Sequence, residues 1–430
     1  MSKKIIIAGG GLTGLSAAWH LEERARPYLL FEKDREVGGL CCSKKVGGFV
    51  FDRGGHVMHF RNPETLELVK KFLGTNIKRH ERDALYYAFG RYGRYPFQAH
   101  LASMPRAIIR ECLAGFKKVS GKPRGGKDVP GFRPWIFGHF GEGIARHFLF
   151  PYNSKFWKVP LGTLTSEWAR QVIPVPSRDE IIRGAEGKKS GPWGYNTAFW
   201  YPRKGGIQEL PLAMASGLKH VMTGCALESV DVENKVVLVA TGAKEKFDCL
   251  ISTIPLPEML RMLKNVPAPL RRAFGALRWN SILNVNLGIE GKAGKQGHWI
   301  YFPQASISFF RAGMPHRISR SVVPPGMSSL SLEIAYAPGQ APDLKGLFSR
   351  AIKDAKKVGL IAGSQKVSFI DAHDITYGYP IYDRNYLNSK NIIERFLRKH
   401  HIIPAGRYGA WRYMSMEDAL LEGRALAQDL

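Results

Sequence analysis

Apolar residues are spaced in three different ways along this chain, and each spacing predicts a different element. Ile5–Ala8 is an unbroken apolar run, as expected of a short strand buried on both faces of a parallel sheet. From about Leu12 the spacing becomes helical, with Leu15, Ala18 and Leu21 on one face and Pro27 just past the end. A second apolar strand, Tyr28–Phe31, comes next. Strand, helix and strand in this order predict a βαβ unit at the start of an α/β fold.

Farther on, Tyr92–Phe97 reads as a strand end, and residues 98–200, rich in helix formers and tryptophan, predict a helical insert. A helix is expected after Gly205–Gly206, within Tyr201–Leu218. Residues 220–255 alternate apolar and polar about turns at Glu233–Lys235 and Thr241–Gly242, a meander ending in a buried strand, Cys249–Ile254. Met259–Phe274 predicts a further helix, and four strand-like runs within Ser281–Tyr336 predict an antiparallel sheet. An amphipathic helix from about Met416 comes after a glycine-containing turn. The expected organisation is a nucleotide-binding unit in three pieces, 1–97, 201–265 and 386–430. It is interrupted by the helical insert, 98–200, and by an antiparallel-sheet substrate domain, 266–385.

Composition changes this picture little. Apolar residues make up 44% and charged residues 23% of the chain, enough for a substantial core. The apolar runs fall short of the ~18 residues of a membrane span, and MSKKIIIAGGG passes straight into a glycine turn, so it reads as a strand and not a signal peptide. A cytoplasmic protein is expected. The five cysteines, Cys41, Cys42, Cys112, Cys225 and Cys249, lack metal spacing, and the 13 histidines include no HExxH. Reduced thiols and no metal are expected.

Charge matters more. Lysine and arginine number 63 against 36 acids, for a formal charge of +27, a field that concentrates anions. The densest basic stretch is Phe116–Pro134. Without a zinc-finger, RRM or helix-turn-helix pattern, no nucleic-acid partner is expected. An anionic small molecule is favoured, and peripheral contact with a membrane through the basic surface stays open.

The clearest chemical signal sits between the first strand and helix. Gly9, Gly11 and Gly14 form G-x-G-x-x-G: the first allows a tight turn, the second a close pyrophosphate, the third close helix–strand packing. The helix presents free N–H groups to that phosphate. Glu32, at the end of the second strand, can accept from both ribose hydroxyls and would repel a 2′-phosphate. These residues encode ADP recognition without NADP.

Several later motifs carry a resemblance. Gly38–Gly39 lies a few residues past Glu32, and the chain resembles the two-dinucleotide-binding-domain flavoproteins, in which such a pair packs beside the FAD pyrophosphate. The resemblance implies a Rossmann-type FAD-binding domain, with the FVFDRGGH turn at Gly55 close to the isoalloxazine ring. His56 and His59 there read equally as a structural pair or as catalytic. Over almost its whole length the chain is similar to the UDP-galactopyranose mutases, nearer the eukaryotic type, within the class that includes protoporphyrinogen oxidase and monoamine oxidase. GGHVMHF parallels their histidine loop, carried by His56. FPYNSKFWKVP places Asn153 and Trp157 on the nucleotide side, and WIYFPQASISFFRAG places Tyr301 and Arg311 at the substrate phosphates. YGYPIYD supplies Tyr379, and GRYGAWRYMSMED places Arg407 by the flavin, Tyr413 by the phosphates and Asp418 at the cofactor.

The resemblance implies an FAD-dependent pyranose–furanose interconversion through N5 of reduced flavin, with His56, Arg311 and Tyr379 at the reacting end. NAD(P)H would be the external reductant and a nucleotide sugar the substrate. The alternative for Arg311 is pairing with Glu333 on a neighbouring strand. Val172 stands where the mutases carry a second phosphate arginine, with Arg170 and Arg178 nearby as the alternatives to fill that role, and the asparagine expected near Met416–Glu417 is absent. The missing arginine favours the rival function, an FAD-dependent oxidoreductase of the amine oxidase or protoporphyrinogen oxidase type, and the tyrosine–arginine set disfavours it. A flavin- or nucleotide-binding protein without catalysis is a third reading.

Overall fold

The computed structural model describes residues 3–119, 131–188, 197–293, 297–340 and 342–430; within the basic stretch Phe116–Pro134, residues 120–130 lie outside these. The apolar run Ile5–Ala8 forms a strand whose four residues are all fully buried. It pairs in parallel with Tyr28–Phe31 on one side and Cys249–Ser252 on the other. Strands Ile402–Pro404 and Val221–Met222 extend the two edges into a five-stranded parallel sheet. A strand buried on both faces explains why its residues read as continuous, not alternating.

The first helix, Leu12–Glu23, lies against the last, Met416–Asp429. The two approach closely because Gly423 has no side chain: a Cβ there would lie 2.5 Å from the Thr13 carbonyl oxygen. The Ser16 hydroxyl then donates to the Leu420 carbonyl at 2.6 Å. The end of the chain is thereby fastened to the glycine turn. The expected meander forms a small antiparallel sheet, Leu227–Asp231, Val236–Val239 and Lys244–Lys246.

A second, seven-stranded sheet runs in the order Val367–Pro380, Trp279–Glu290, Met327–Tyr336, Arg311–Gly313, Trp299–Tyr301, Ala84–Ala88, Arg91–Arg94. Its pairs are antiparallel except Trp299–Tyr301 with Ala84–Ala88. Three features depart from the sequence expectation. Ala84–Arg94, grouped there with the nucleotide-binding unit, is bonded into this sheet. The long strand Val367–Pro380 is absent from the expected elements, because it is an edge whose outer half is partly exposed and only its last residues are buried. The helix expected over Met259–Phe274 is two helices, Leu256–Met262 and Ala268–Gly275. Asn265 sits at φ +55° and Pro267 lies two residues on, which ends the first helix and starts the second.

Helices Arg106–Val119, Phe132–Ile144, Phe150–Trp157 and Arg178–Ala185 make up the insert. Their apolar faces share one core with the sheet: Phe97, Phe116, Phe132, Trp135, Trp157 and Trp168 pack together, with Tyr301 and Tyr379 at the margin. That core closes one side of a large cavity.

Candidate active site

The cavity begins at the glycine turn. Gly9 has φ +103°, and a Cβ there would meet Thr253 Oγ1 at 2.3 Å. A Cβ on Gly14 would lie 2.1 Å from the Gly9 carbonyl oxygen. Gly11 differs: its Cβ would meet nothing within 4 Å and would point into open cavity. Gly11 is also the N-cap of helix Leu12–Glu23 and provides no side-chain acceptor, so the leading N–H groups are left to a ligand. The second glycine pair is drawn in by the Gly38 N–H donating to the Gly10 carbonyl at 2.9 Å. Glu32 is buried, accepting from the Gly10 N–H at 2.7 Å and the Asp34 N–H at 2.8 Å. These bonds hold the carboxylate at the cavity wall.

From there a space of about 1420 Å³ continues past the Gly54–His56 turn into a chamber between the large sheet and the helical insert. Tyr152, Asn153, Phe156 and Trp157, from helix Phe150–Trp157, line one wall. Tyr301, Arg311, Glu333 and Tyr379 line the sheet side, and Arg407, Tyr408 and Tyr413 close the end.

Arg311 is not free. In the register of the two strands it sits opposite Glu333, and the side chains lock together. Nε donates to Oε1 at 3.1 Å, and Nη2 donates to Oε1 and Oε2, each at 2.7 Å. Burial disfavours the guanidinium charge, and Glu333 with the surrounding tyrosines more than offsets this, holding its pKa well above the ordinary value. The same Oε1 accepts from the Gly55 N–H at 3.1 Å, tying the pair to the turn that carries His56. The uncompensated phosphate cation expected here is therefore corrected to a neutral ion pair. Its Nη1 makes no protein hydrogen bond among the described residues.

His56 faces the chamber, and its buried Nδ1 has no partner among the described residues. Burial, reinforced by Arg407 and Arg311, lowers its pKa to about 4, so it is a neutral imidazole. His59 bonds the Ala198 carbonyl through Nδ1 at 3.0 Å, as a structural histidine would. Arg407 donates to the Met414 carbonyl at 3.1 Å and the Gly378 carbonyl at 3.4 Å. Its guanidinium lies over the rings of Tyr379 at 4.7 Å and Tyr413 at 4.9 Å, while its buried Nε is unpartnered among the described residues. Burial raises the pKa of Tyr301 and Tyr379, which keeps both hydroxyls protonated donors.

Asn153 is buried and engaged within its own helix. Its amide donates to the Leu149 carbonyl at 2.8 Å and accepts from Trp157 Nε1 at 3.2 Å. Asp418 sits at the cavity edge but acts as a cap: it accepts from the Ser415 N–H at 2.9 Å and Oγ at 2.7 Å, and it pairs with Arg61. Glu417, where an asparagine was expected, is 1% exposed and accepts from the Arg61 and Asn62 N–H groups. Val172 lies in the wall among Arg170, Gln171, Ile173 and Val175, so its own position is apolar while a cation, Arg170, lines the same segment. Chamber residues missed in the sequence include Tyr152, Phe156, Tyr408 and Tyr382, the last with a hydroxyl that accepts from the Tyr413 N–H at 2.7 Å. The i, i+4 spacing of Tyr152 and Phe156 was the available signal.

Comparison with known proteins settles the class. The model of the flavin containing amine oxidoreductases matches residues 12–430. The chain belongs to that family. Among curated members, it is 34% identical over 287 residues to protoporphyrinogen oxidase 2, chloroplastic/mitochondrial, of Arabidopsis thaliana, spanning 57% of this chain and 52% of the relative. It is 21% identical over 349 residues to the coproporphyrinogen III oxidase of Bacillus subtilis strain 168, covering 74% of this chain and 71% of that one. A crystal structure of reduced UDP-galactopyranose mutase matches with a TM-score of 0.94 at 26% identity, over 99% of this chain and 95% of that one. The protein is thus a UDP-galactopyranose-mutase-like FAD flavoprotein of the amine oxidoreductase class, with the α/β architecture expected.

The residues present fit the family's FAD. The open space at Gly11, the uncapped helix start and the fixed Glu32 suit a dinucleotide. At the other end, the orphaned Arg407 Nε and His56 Nδ1 are buried polar atoms that call for a partner of the kind a flavin ring's edge provides.

Proposed function

We propose that this flavoenzyme interconverts ring forms of a nucleotide sugar, as a mutase does. The observation that carries this reading is the whole-chain correspondence with reduced UDP-galactopyranose mutase, extending through the insert and sheet that build the chamber. Bound and reduced, the flavin would supply a nucleophilic nitrogen. The protein's contribution is position and charge. Tyr301, Tyr379 and Tyr413 offer hydroxyl donors toward a diphosphate, and Arg311 offers Nη1. Trp157 and Asn153 stiffen the wall on which a base would rest. Arg407, stacked under two of the tyrosines, carries a charge met by carbonyls and ring faces. Neutral His56 is an acceptor beside the reacting end. NAD(P)H would serve as the external reductant.

A second reading, an FAD-dependent oxidoreductase on an unidentified substrate, is favoured by two observations: the carboxylate on Arg311 and a valine, in place of a cation, at position 172. Anaerobic incubation of dithionite-reduced holoenzyme with UDP-galactopyranose separates the two. Furanose product is the expected result. No furanose, together with substrate-dependent bleaching of the oxidised flavin by an amine or porphyrinogen, would replace the mutase reading with the oxidase one.

A further inference from the structure

A second, smaller cavity of about 360 Å³ lies beside the chamber, and Ile318 lines both. Three segments distant in the chain converge on it. Lys78 and His80 come from strand Lys78–Glu81, and Pro202 and Arg203 come just after the strand Ala198–Tyr201 paired with it. His316, Arg317, Ser319, Arg320 and Ser321 come from the short helix Pro315–Ile318 and the turn after it. No carboxylate among the described residues lines the space. Among the described residues, none of Lys78, Arg203, Arg317 and Arg320 makes an ion pair.

The four cations are exposed, but hydrogen bonds hold together the segments that carry them. Arg203 Nε donates to the Thr75 and Ile77 carbonyls, each at 3.1 Å, which fixes the start of the guanidinium. Its own carbonyl accepts from the Ser319 hydroxyl at 2.6 Å and the Ser321 hydroxyl at 2.8 Å, fastening the two basic segments together. The concentrated charge is felt by the neighbouring imidazoles. Beyond the effect of burial, Lys78 and Arg203 depress His80, and Arg320 and Arg317 depress His316. Four like charges around one space repel one another, and an external anion removes that cost. Clustered arginines without carboxylates match a phosphoryl group, to which their planar donors bind in pairs.

We propose that this cavity is a phosphoryl-binding site, separate from the flavin chamber, whose ligand is a phosphorylated compound seated on Lys78, Arg203, Arg317 and Arg320. Two sources share that chemistry: a soluble phosphate ester, and the headgroup of an anionic phospholipid. The site does not depend on the mutase reading, since none of its four cations lines the flavin chamber.

The test uses FAD-loaded holoenzyme, with inorganic pyrophosphate as the soluble probe in calorimetry. Sedimentation with phosphatidylcholine vesicles, with and without phosphatidic acid, forms the lipid arm. Binding in either arm, weakened at least tenfold in Arg317→Ala/Arg320→Ala with flavin content and UDP quenching of flavin fluorescence unchanged, is expected. Pyrophosphate binding identifies a soluble ligand, and vesicle binding alone identifies a headgroup. Lys78→Ala, on a different segment, should weaken the same arm and guards against a folding defect in the double variant. Absence of binding in both arms, or equal binding by the two folded variants, overturns the proposal.

Discussion

Replacing Glu333 by glutamine separates the two roles that the structure gives this carboxylate. The side chain is 7% exposed and its partner Arg311 23% exposed, so the pair is largely shielded from water. Removing one partner of such a pair costs ~3–5 kcal/mol, because the other charge is left uncompensated. Glutamine keeps one oxygen for Arg311 or the Gly55 N–H, and Arg311 retains some water, so a loss of about 2–3 kcal/mol is expected. The same change exposes the arginine's charge to the chamber. A full charge about 5 Å from a phosphate is worth roughly 3 kcal/mol at an effective dielectric of 20. Even with half of that offset by solvent, UDP should bind about tenfold more tightly, or ~1.4 kcal/mol. Urea denaturation of the holoenzyme reads the first effect, and quenching of flavin fluorescence by UDP reads the second. Glu64→Gln, at an exposed surface pair with Arg424, changes net charge equally and is the control. A destabilised Glu333→Gln with UDP affinity no better than the control would show that Arg311 does not face a diphosphate. Unchanged stability would refute the energetic reasoning about the pair.

Gly11→Val fills the open space at the helix start, so the purified protein should lose most of its FAD; retention of a full complement would remove the dinucleotide from that turn. Val172→Arg adds a cation beside Arg170 in the chamber wall and should strengthen UDP binding several-fold under the mutase reading, whereas indifference to UDP would favour the oxidoreductase. Burial lowers His56, His298 and His316 to about 4 each. Their stabilising contribution is complete above the unfolded value near 6.5 and declines as pH falls toward 4, by at most about 1.4 kcal/mol per pH unit per histidine. Urea midpoints at pH 7.5 and 5 should therefore differ, and the difference should shrink in His316→Asn; a difference of the same size in that variant would mean His316 is not held neutral.

Legibility in the sequence was local. Gly9, Gly11, Gly14 and Glu32 announced their site because a strand, turn and helix bring near neighbours in the chain together, and spacing encodes that geometry. Pro267 was an equally local signal of the break that divides Met259–Phe274 into two helices. Asp418 carried two signals: a position expected near the cofactor, and the Ser415-x-x-Asp418 spacing of a helix cap. The cap prevailed, since a carboxylate there satisfies the start of helix Met416–Asp429. The basic cavity was not legible at all. Lys78, Arg203 and Arg317 meet only because two separate chain returns lay strand Lys78–Glu81 beside Ala198–Tyr201 and bring the turn near Arg320 against them.

The pairing of Arg311 with Glu333 bears most on chemistry. Their juxtaposition depends on a strand register that a shift of one residue would break. It moves the chamber's uncompensated positive charge from the sheet to Arg407, which makes no ion pair among the described residues and is ringed by Tyr379, Tyr408 and Tyr413. A diphosphate entering the chamber would thus meet three hydroxyls, the two N–H groups of Arg311 Nη1 and a cation screened by aromatic rings. Full engagement of Arg311 would require Glu333 to be left with the Gly55 N–H alone. Substrate affinity would then be coupled to the turn carrying His56, because the same carboxylate oxygen holds both. An oxidoreductase acting on an uncharged substrate needs no such exchange and would keep the pair closed throughout its cycle. The state of this one ion pair in the presence of ligand therefore separates the two chemistries on a scaffold that accommodates either.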